Sequence, residues 1–282
     1  LIVVFGSSGT VGRELVSHLV RAGHGPLRAV YHRHPVALYG VETVQVDVAQ
    51  GRGIEDALRG ARAVFLLTGD MPDQAGAELR VVEAAARAGV ERLVKLSVLA
   101  APSEAFPLAR IHRAVERAIE TTRIPFTFLR PGSFMQNFVL QYGHEIRAES
   151  RFSLPCGDAH DNHVDARDIA RVAARCLTES GHEGRSYDLV GPEPLTYHEA
   201  AEKLSQAVGK TIAYVAISSD EFTRRMQATG APRELAEGLL EMFRYHATSG
   251  VEQRSSAIRE VTGQEPTSLA AFAREHAAAF RS

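Results

Sequence analysis

Three glycines spaced three apart, Gly6, Gly9 and Gly12, follow directly on the apolar run Leu1-Ile2-Val3-Val4-Phe5 and precede Leu15, Val16, Leu19 and Val20 at helical spacing. Strand, glycine turn and helix in that order can cradle a diphosphate. The first glycine permits a tight turn, the middle one lets backbone amides approach the anion, and the last lets helix and strand pack closely. The helix N-terminus, at Thr10 and Val11, then presents unpaired amides and a dipole worth roughly 0.3–1 kcal/mol per negative charge. The hydroxyls of Ser7, Ser8 and Thr10 can add donors. No Gly-Lys-Ser/Thr follows, so the loop is not a nucleotide-triphosphate loop, and a dinucleotide is expected here.

A carboxylate at the end of the second strand would bind the two ribose hydroxyls of NAD. None is present. Tyr31-His32-Arg33-His34 stands there, and His32 and Arg33 suit the 2′-phosphate of NADP through charge-assisted hydrogen bonds, so NADP(H) is expected over NAD(H). Asp47 and Val48, at the end of the third strand, fall near the adenine edge, although Asp47 equally suits a turn start. His112 and Glu116 lie four apart, on one face of a helix, where an ionised Glu raises the His pKa above about 6.5. Ser97 ends the fifth strand, where its hydroxyl can either touch substrate or cofactor or simply satisfy the backbone, while Lys95 is expected on the sheet's other side. Phe134, Met135, Asn137, Phe138 and Tyr142 follow the sixth strand and read either as walls of an aromatic pocket or as a buried helix face. His160, Asp161, His163 and Asp165 are ligand-type residues without cysteine pairing, and no metal is expected.

Positioning these groups requires a scaffold of alternating strands and helices. Strands are predicted at 27–31, 43–46, 63–67, 93–97 and 126–129, with helices at 11–20, 54–58, 76–88 and 108–121 between them. That alternation predicts an α/β fold with a Rossmann-type, doubly wound parallel sheet and ligands at the carboxyl ends of its strands. Beyond Pro131 the rhythm breaks into helices at 165–178, 231–246 and 269–280, isolated strands at 187–190 and 211–217, and the capping box Thr196-Tyr-His-Glu199. A smaller, mostly helical C-terminal domain is expected. Residues 1–133, with 160–190 returning, are assigned to NAD(P) binding, and 191–282 with 134–159 to the substrate.

The 282 residues are 45% hydrophobic and 23% charged, which excludes disorder, collagen and coiled coil. A near balance of 32 basic and 34 acidic residues gives no global field for nucleic acid. No apolar run approaches the roughly 18 residues of a membrane helix. Cys156 and Cys176 make no disulfide framework, so a reducing, cytoplasmic location is expected.

The glycine loop, Ala88-Gly89-Val90-Glu91-Arg92-Leu93-Val94-Lys95-Leu96-Ser97, Ile124-Pro-Phe-Thr-Phe-Leu-Arg130-Pro-Gly-Ser-Phe134 and Val164-Asp165-Ala-Arg167-Asp168-Ile169-Ala170 together resemble the NmrA-like atypical short-chain dehydrogenases. Triphenylmethane reductase and type 2 quinone oxidoreductase belong to that group. The resemblance implies that Leu67, Thr68 and Gly69 border the cofactor and that Pro131, Gly132, Ser133 and Phe134 bracket the nicotinamide. Typical short-chain dehydrogenases carry a Tyr four residues before a Lys on the helix that here holds His112 and Glu116. The resemblance therefore implies hydride transfer without that pair. The spacing of His112 and Glu116 leaves two expectations: His112 donates a proton or hydrogen bond with Glu116 orienting it, or the two form an exposed helical pair without a chemical role.

Two functions follow. One is an NAD(P)H-dependent reductase acting on an aromatic or quinone-like small molecule; the other is a non-catalytic NADP(H) sensor working through a protein partner. Neither implies nucleic acid or membrane binding, and either suits a monomer or homodimer.

Overall fold

The computed structural model describes residues 1–35, 40–69, 71–248 and 254–281. Six strands come first: β1 (Ile2–Val4), β2 (Leu27–Tyr31), β3 (Val41–Gln45), β4 (Ala63–Leu66), β5 (Arg92–Leu96) and β6 (Phe126–Pro131). Six more follow, β7 (Ser133–Phe134), β8 (Arg151–Leu154), β9 (His160–Val164), β10 (Arg185–Leu189), β11 (Pro194–Thr196) and β12 (Ala213–Ala216). Seven of them form one parallel sheet in the order β3-β2-β1-β4-β5-β6-β10. This is the doubly wound Rossmann order, with its reversal point between β1 and β4. The expected fold class is the observed one.

Period-two alternation sends neighbouring side chains of β1 to opposite faces. Val4 joins Leu15, Val16 and Leu19 of α1 (Thr10–Arg21) on one face, while Val3 packs with apolar residues on the other. That second face is covered by α2 (Ile54–Leu58), α3 (Gln74–Arg87) and α4 (Pro107–Glu120). Helix α1 forms because Val11, Leu15, Val16 and Leu19 recur on one side, and it stops at Gly23, whose φ of +72° a side chain would strain. Burying one such leucine contributes about 1.5–3 kcal/mol.

A separate apolar cluster holds much of the remainder together. It draws Phe138 from α5 (Asn137–Leu140), Ile146 from α6 (Gly143–Glu149), and Phe152 from β8. After α7 (Ala166–Thr178), which packs beside α1, come α8 (Tyr197–Val208), α9 (Ser219–Ala228), α10 (Arg233–Thr248), α11 (Ala257–Thr262) and α12 (Leu269–Glu275). Leu204, Phe222, Phe243 and Phe272 bring α8, α9, α10 and α12 into the cluster. Two small sheets, β11-β9-β7 and β12-β8, cross this region. The predicted capping box forms, with Thr196 Oγ1 accepting from the Glu199 amide at 3.1 Å and Glu199 Oε2 accepting from the Thr196 amide at 2.8 Å. Among the described residues no helix is long and apolar enough to cross a membrane, and both cysteines are free and buried.

Candidate active site

The loops at the carboxyl ends of β1 to β6 converge on one cleft of about 640 Å³. Backbone clearances shape its first end. Gly6 has φ +70°, and a Cβ there would lie 2.6 Å from the Leu67 carbonyl oxygen; a Cβ on Gly12 would lie 2.1 Å from the Gly6 carbonyl oxygen. Only glycine lets these segments close together. Gly6, Ser8, Gly9, Thr10 and Val11 line the cleft, where the first-turn amides of α1 have no intrahelical carbonyl to reach. Gly12 lies behind them as a packing residue. Ser7 does not face the cleft: it is fully buried, and its hydroxyl donates to the Val30 carbonyl at 2.7 Å, tying the loop to β2.

The rest of the floor follows strand by strand. His32, Asp47, Val48, Leu67, Thr68, Gly69 and Ser97 all line the cleft, as do Pro131, Gly132, Ser133 and Phe134. Arg33 is exposed next to His32 and lies outside the lining. Asp47 also makes the turn, accepting from the Gln50 amide at 3.0 Å and pairing with Arg52 at 2.9 Å, and this hydrogen bond with Arg52 holds its carboxyl below the usual range. The Ser97 hydroxyl is buried at the cleft with no hydrogen-bond partner among the described residues. Glycine clearances, unpaired amides and this orphaned hydroxyl together fit a bound dinucleotide.

His112 reaches the cleft from α4, but its setting differs from the expected one. Glu116 is not its partner. That carboxylate is fully buried and accepts from Arg130 Nε at 2.9 Å, Arg130 Nη2 at 2.8 Å and Arg113 Nη1 at 3.1 Å. The ring instead has Nδ1 3.1 Å from Lys95 Nζ. Lys95 therefore points to the side carrying α3 and α4, not away from the site. Its ammonium pairs with Glu78 at 3.0 Å, both side chains being fully buried, and Glu78 also accepts from the Thr68 hydroxyl at 3.0 Å. Burial, and after it the Lys95 charge, pushes the His112 pKa well below 6.5, the opposite of the imidazolium expected from Glu116. Since an ammonium only donates, Nδ1 accepts and the ring proton is assigned to Nε2.

The far end of the cleft is lined by Phe134, Asn137, Gln141, Leu239, Met242 and His246, among others. Met135 and Phe138 are 1% exposed and face the second apolar cluster, where Tyr142 stacks on Phe152 at 5.8 Å. The cause at α5 is helical phase: 137 and 141 share one side of the segment and 138 and 142 the adjacent one, whereas Phe134 ends β7. Gln141 and the α10 residues carried no sequence signal, because nothing local brings residues 239–246 to the ends of these strands. Among the described residues no group of three His, Cys, Asp or Glu is placed to hold a metal. Asp161 is instead held by Ser133 Oγ at 2.6 Å, Tyr197 OH at 2.8 Å and the Asn162 amide at 2.8 Å.

Residues 1–273 match the NmrA-like family. The chain belongs to that family. It is 36% identical over 286 residues to the (4-alkanoyl-5-oxo-2,5-dihydrofuran-3-yl)methyl phosphate reductase of Streptomyces griseus, with 99% of each chain covered. It is 33% identical over 285 residues to the NAD(P)H azoreductase of Xenophilus azovorans, again over 99% of each. The crystal structure of the NADPH-dependent quinone oxidoreductase of Escherichia coli complexed with NADPH superposes with a TM-score of 0.86 at 26% identity, covering 98% of this chain and 99% of that one. This NmrA-like chain is accordingly an oxidoreductase with the fold its sequence implied.

Proposed function

We propose that the chain is an NADPH-dependent reductase that passes hydride to a conjugated aromatic or quinone-like small molecule without a Tyr-Lys pair. One observation carries this reading: a single cleft runs from the glycine loop, past Pro131-Gly132-Ser133, to an apolar end with a few polar groups. When bound, the cofactor supplies the hydride, and a conjugated acceptor spreads the incoming charge. The work left to the protein is to hold the two partners face to face and exclude alternatives. Residues 1–133 with 160–190 hold the dinucleotide, and 134–159 with 191–282 the acceptor. His112 donates a hydrogen bond through Nε2, and Lys95 fixes that tautomer. Absence of a carboxylate after β2, together with His32 and exposed Arg33, supports NADP(H) over NAD(H). The azo and alkanoyl-dihydrofuran groups in the relatives' names are both conjugated acceptors.

Loss of NADPH absorbance with quinones, azo compounds or cationic dyes, against an enzyme-free blank, tests the proposal. Turnover with at least one class is expected. Saturable NADPH binding with no turnover across the panel would favour a nucleotide sensor.

A further inference from the structure

Hydride arriving at a neutral conjugated acceptor leaves an electron pair that must take a proton, so a reductase of the kind proposed above needs a proton donor. We propose that His246, set against the Asp161 carboxylate, delivers that proton. The inference rests on the reductase reading and adds a residue to it.

Three histidines line the cleft: His32, His112 and His246. His32 lies at the ribose end, after β2. His112 is a poor source, because Lys95 holds its Nδ1 as an acceptor and giving up the Nε2 proton would leave an anionic ring. It serves as a fixed hydrogen-bond donor. His246, in the last turn of α10, has a different partner. Its Nδ1 is 3.8 Å from Asp161 Oδ1, an ion-pair distance wider than a hydrogen bond, and its side chain is 15% exposed. Catalytic contacts of this kind commonly tighten when substrate binds.

Asp161 is suited to the role of a fixed anion. Burial pushes its pKa up, but His163, His246, Ser133 and Tyr197 together bring it below the usual value. Ser133, one of its donors, itself lines the cleft, which ties the His246 and Asp161 pair to the end of β6. The other groups nearby do not compete. Burial pushes the pKa of His163 of β9 down, and neither of its ring nitrogens has a hydrogen-bond partner among the described residues. Phe106 meets the His246 ring edge-on at 6.1 Å, and Tyr245 precedes it on α10. The charged pair joining α4 to α10, Arg110 with Glu241, is satisfied at 3.2 Å.

The atoms balance. As the dihydronicotinamide C4–H bond breaks with its electron pair, a new bond to hydrogen forms on the acceptor, and its π pair moves to the conjugated oxygen, nitrogen or carbon. That atom takes the Nε2 proton of the His246 imidazolium, which becomes the neutral ring with its Nδ1–H still facing Asp161. The acceptor gains two electrons, the cofactor loses two, and solvent returns a proton to His246 through the cleft mouth.

A cationic triarylmethane dye separates this role from a structural one, since hydride on its central carbon neutralises it and no proton is needed. In His246→Ala and His246→Gln, the ratio of quinone kcat to dye kcat should fall by about 10²-fold or more, the usual worth of a general acid. Asp161→Asn, which changes only the positioning residue, should move the same ratio by less. Without cofactor or turnover, calorimetric affinity for the hydroquinone product should fall by about tenfold in His246→Ala, as for one lost hydrogen bond. A parallel fall with both acceptors, or no fall with either, overturns the proposal while leaving the reductase reading intact. Wild-type protein that binds NADPH and reduces neither acceptor overturns both.

Discussion

The two ends of the cleft are built by different means. At the glycine-loop end the surface is backbone, and its shape depends on clearances that a single methyl group would close, as at Gly12. At the far end, where the proposed acceptor would sit, the surface is side chain, brought from α4, α5 and α10 and steadied by buried pairs such as Lys95 with Glu78. The first end is specified by seven consecutive residues. The second needs the whole fold. Such a division lets a family keep one cofactor while the acceptor changes, because the acceptor walls can be altered without moving the loop.

Substitutions at the two ends should therefore fail differently. Gly12→Ala places a Cβ 2.1 Å from the Gly6 carbonyl oxygen, and NADPH affinity measured by calorimetry should fall more than about 100-fold. Near-normal affinity would show that the loop's closeness does not matter. Lys95→Met should cost about 3–5 kcal/mol in denaturant unfolding, because it leaves the Glu78 carboxylate buried and unpaired. Replacing Glu78 by Leu in the same protein should recover much of that loss, and no recovery would mean that the pair is not the cause.

Acid should also weaken the protein through its buried imidazoles. His112 and His163 have folded pKa values below the unfolded value of about 6.5, so the unfolded state binds more protons in that window. Stability should then fall as pH drops below about 6.5, by up to roughly 1.4 kcal/mol per pH unit for each group. His112→Gln should flatten the dependence of Tm on pH; an unchanged slope would remove His112 from the explanation. The smallest effect belongs to Arg33, exposed beside His32 after β2. Arg33→Ser should raise the KM for NADPH by about tenfold and leave that for NADH nearly unmoved, in line with one lost charge-assisted contact.

The same division explains what was legible in the sequence. The parallel sheet, α1 and the loop from Gly6 to Gly12 could be read because strand period, helix period and turn chemistry are local. The partner of His112 could not. A four-residue spacing pointed to Glu116, but Arg130 arrives from β6 and takes that carboxylate, while Lys95 comes up beneath the ring from β5. Strand β9 was hidden for another reason: His-Asp-Asn-His-Val looks like a polar loop, yet Asp161, Asn162 and His163 are all buried, where neighbouring donors and rings override strand propensity. His246 meets Asp161 only after α10 has folded back over the sheet ends, and no window of sequence contains both.

Transfer of the hydrogen itself is the decisive measurement. With NADPH deuterated at C4 and a conjugated enone as acceptor, the reduced product should carry the deuterium on the carbon remote from the carbonyl, with none acquired there from deuterated water. Product labelled at that carbon by solvent alone, or NADPH bound and never consumed, would contradict direct hydride transfer in this cleft.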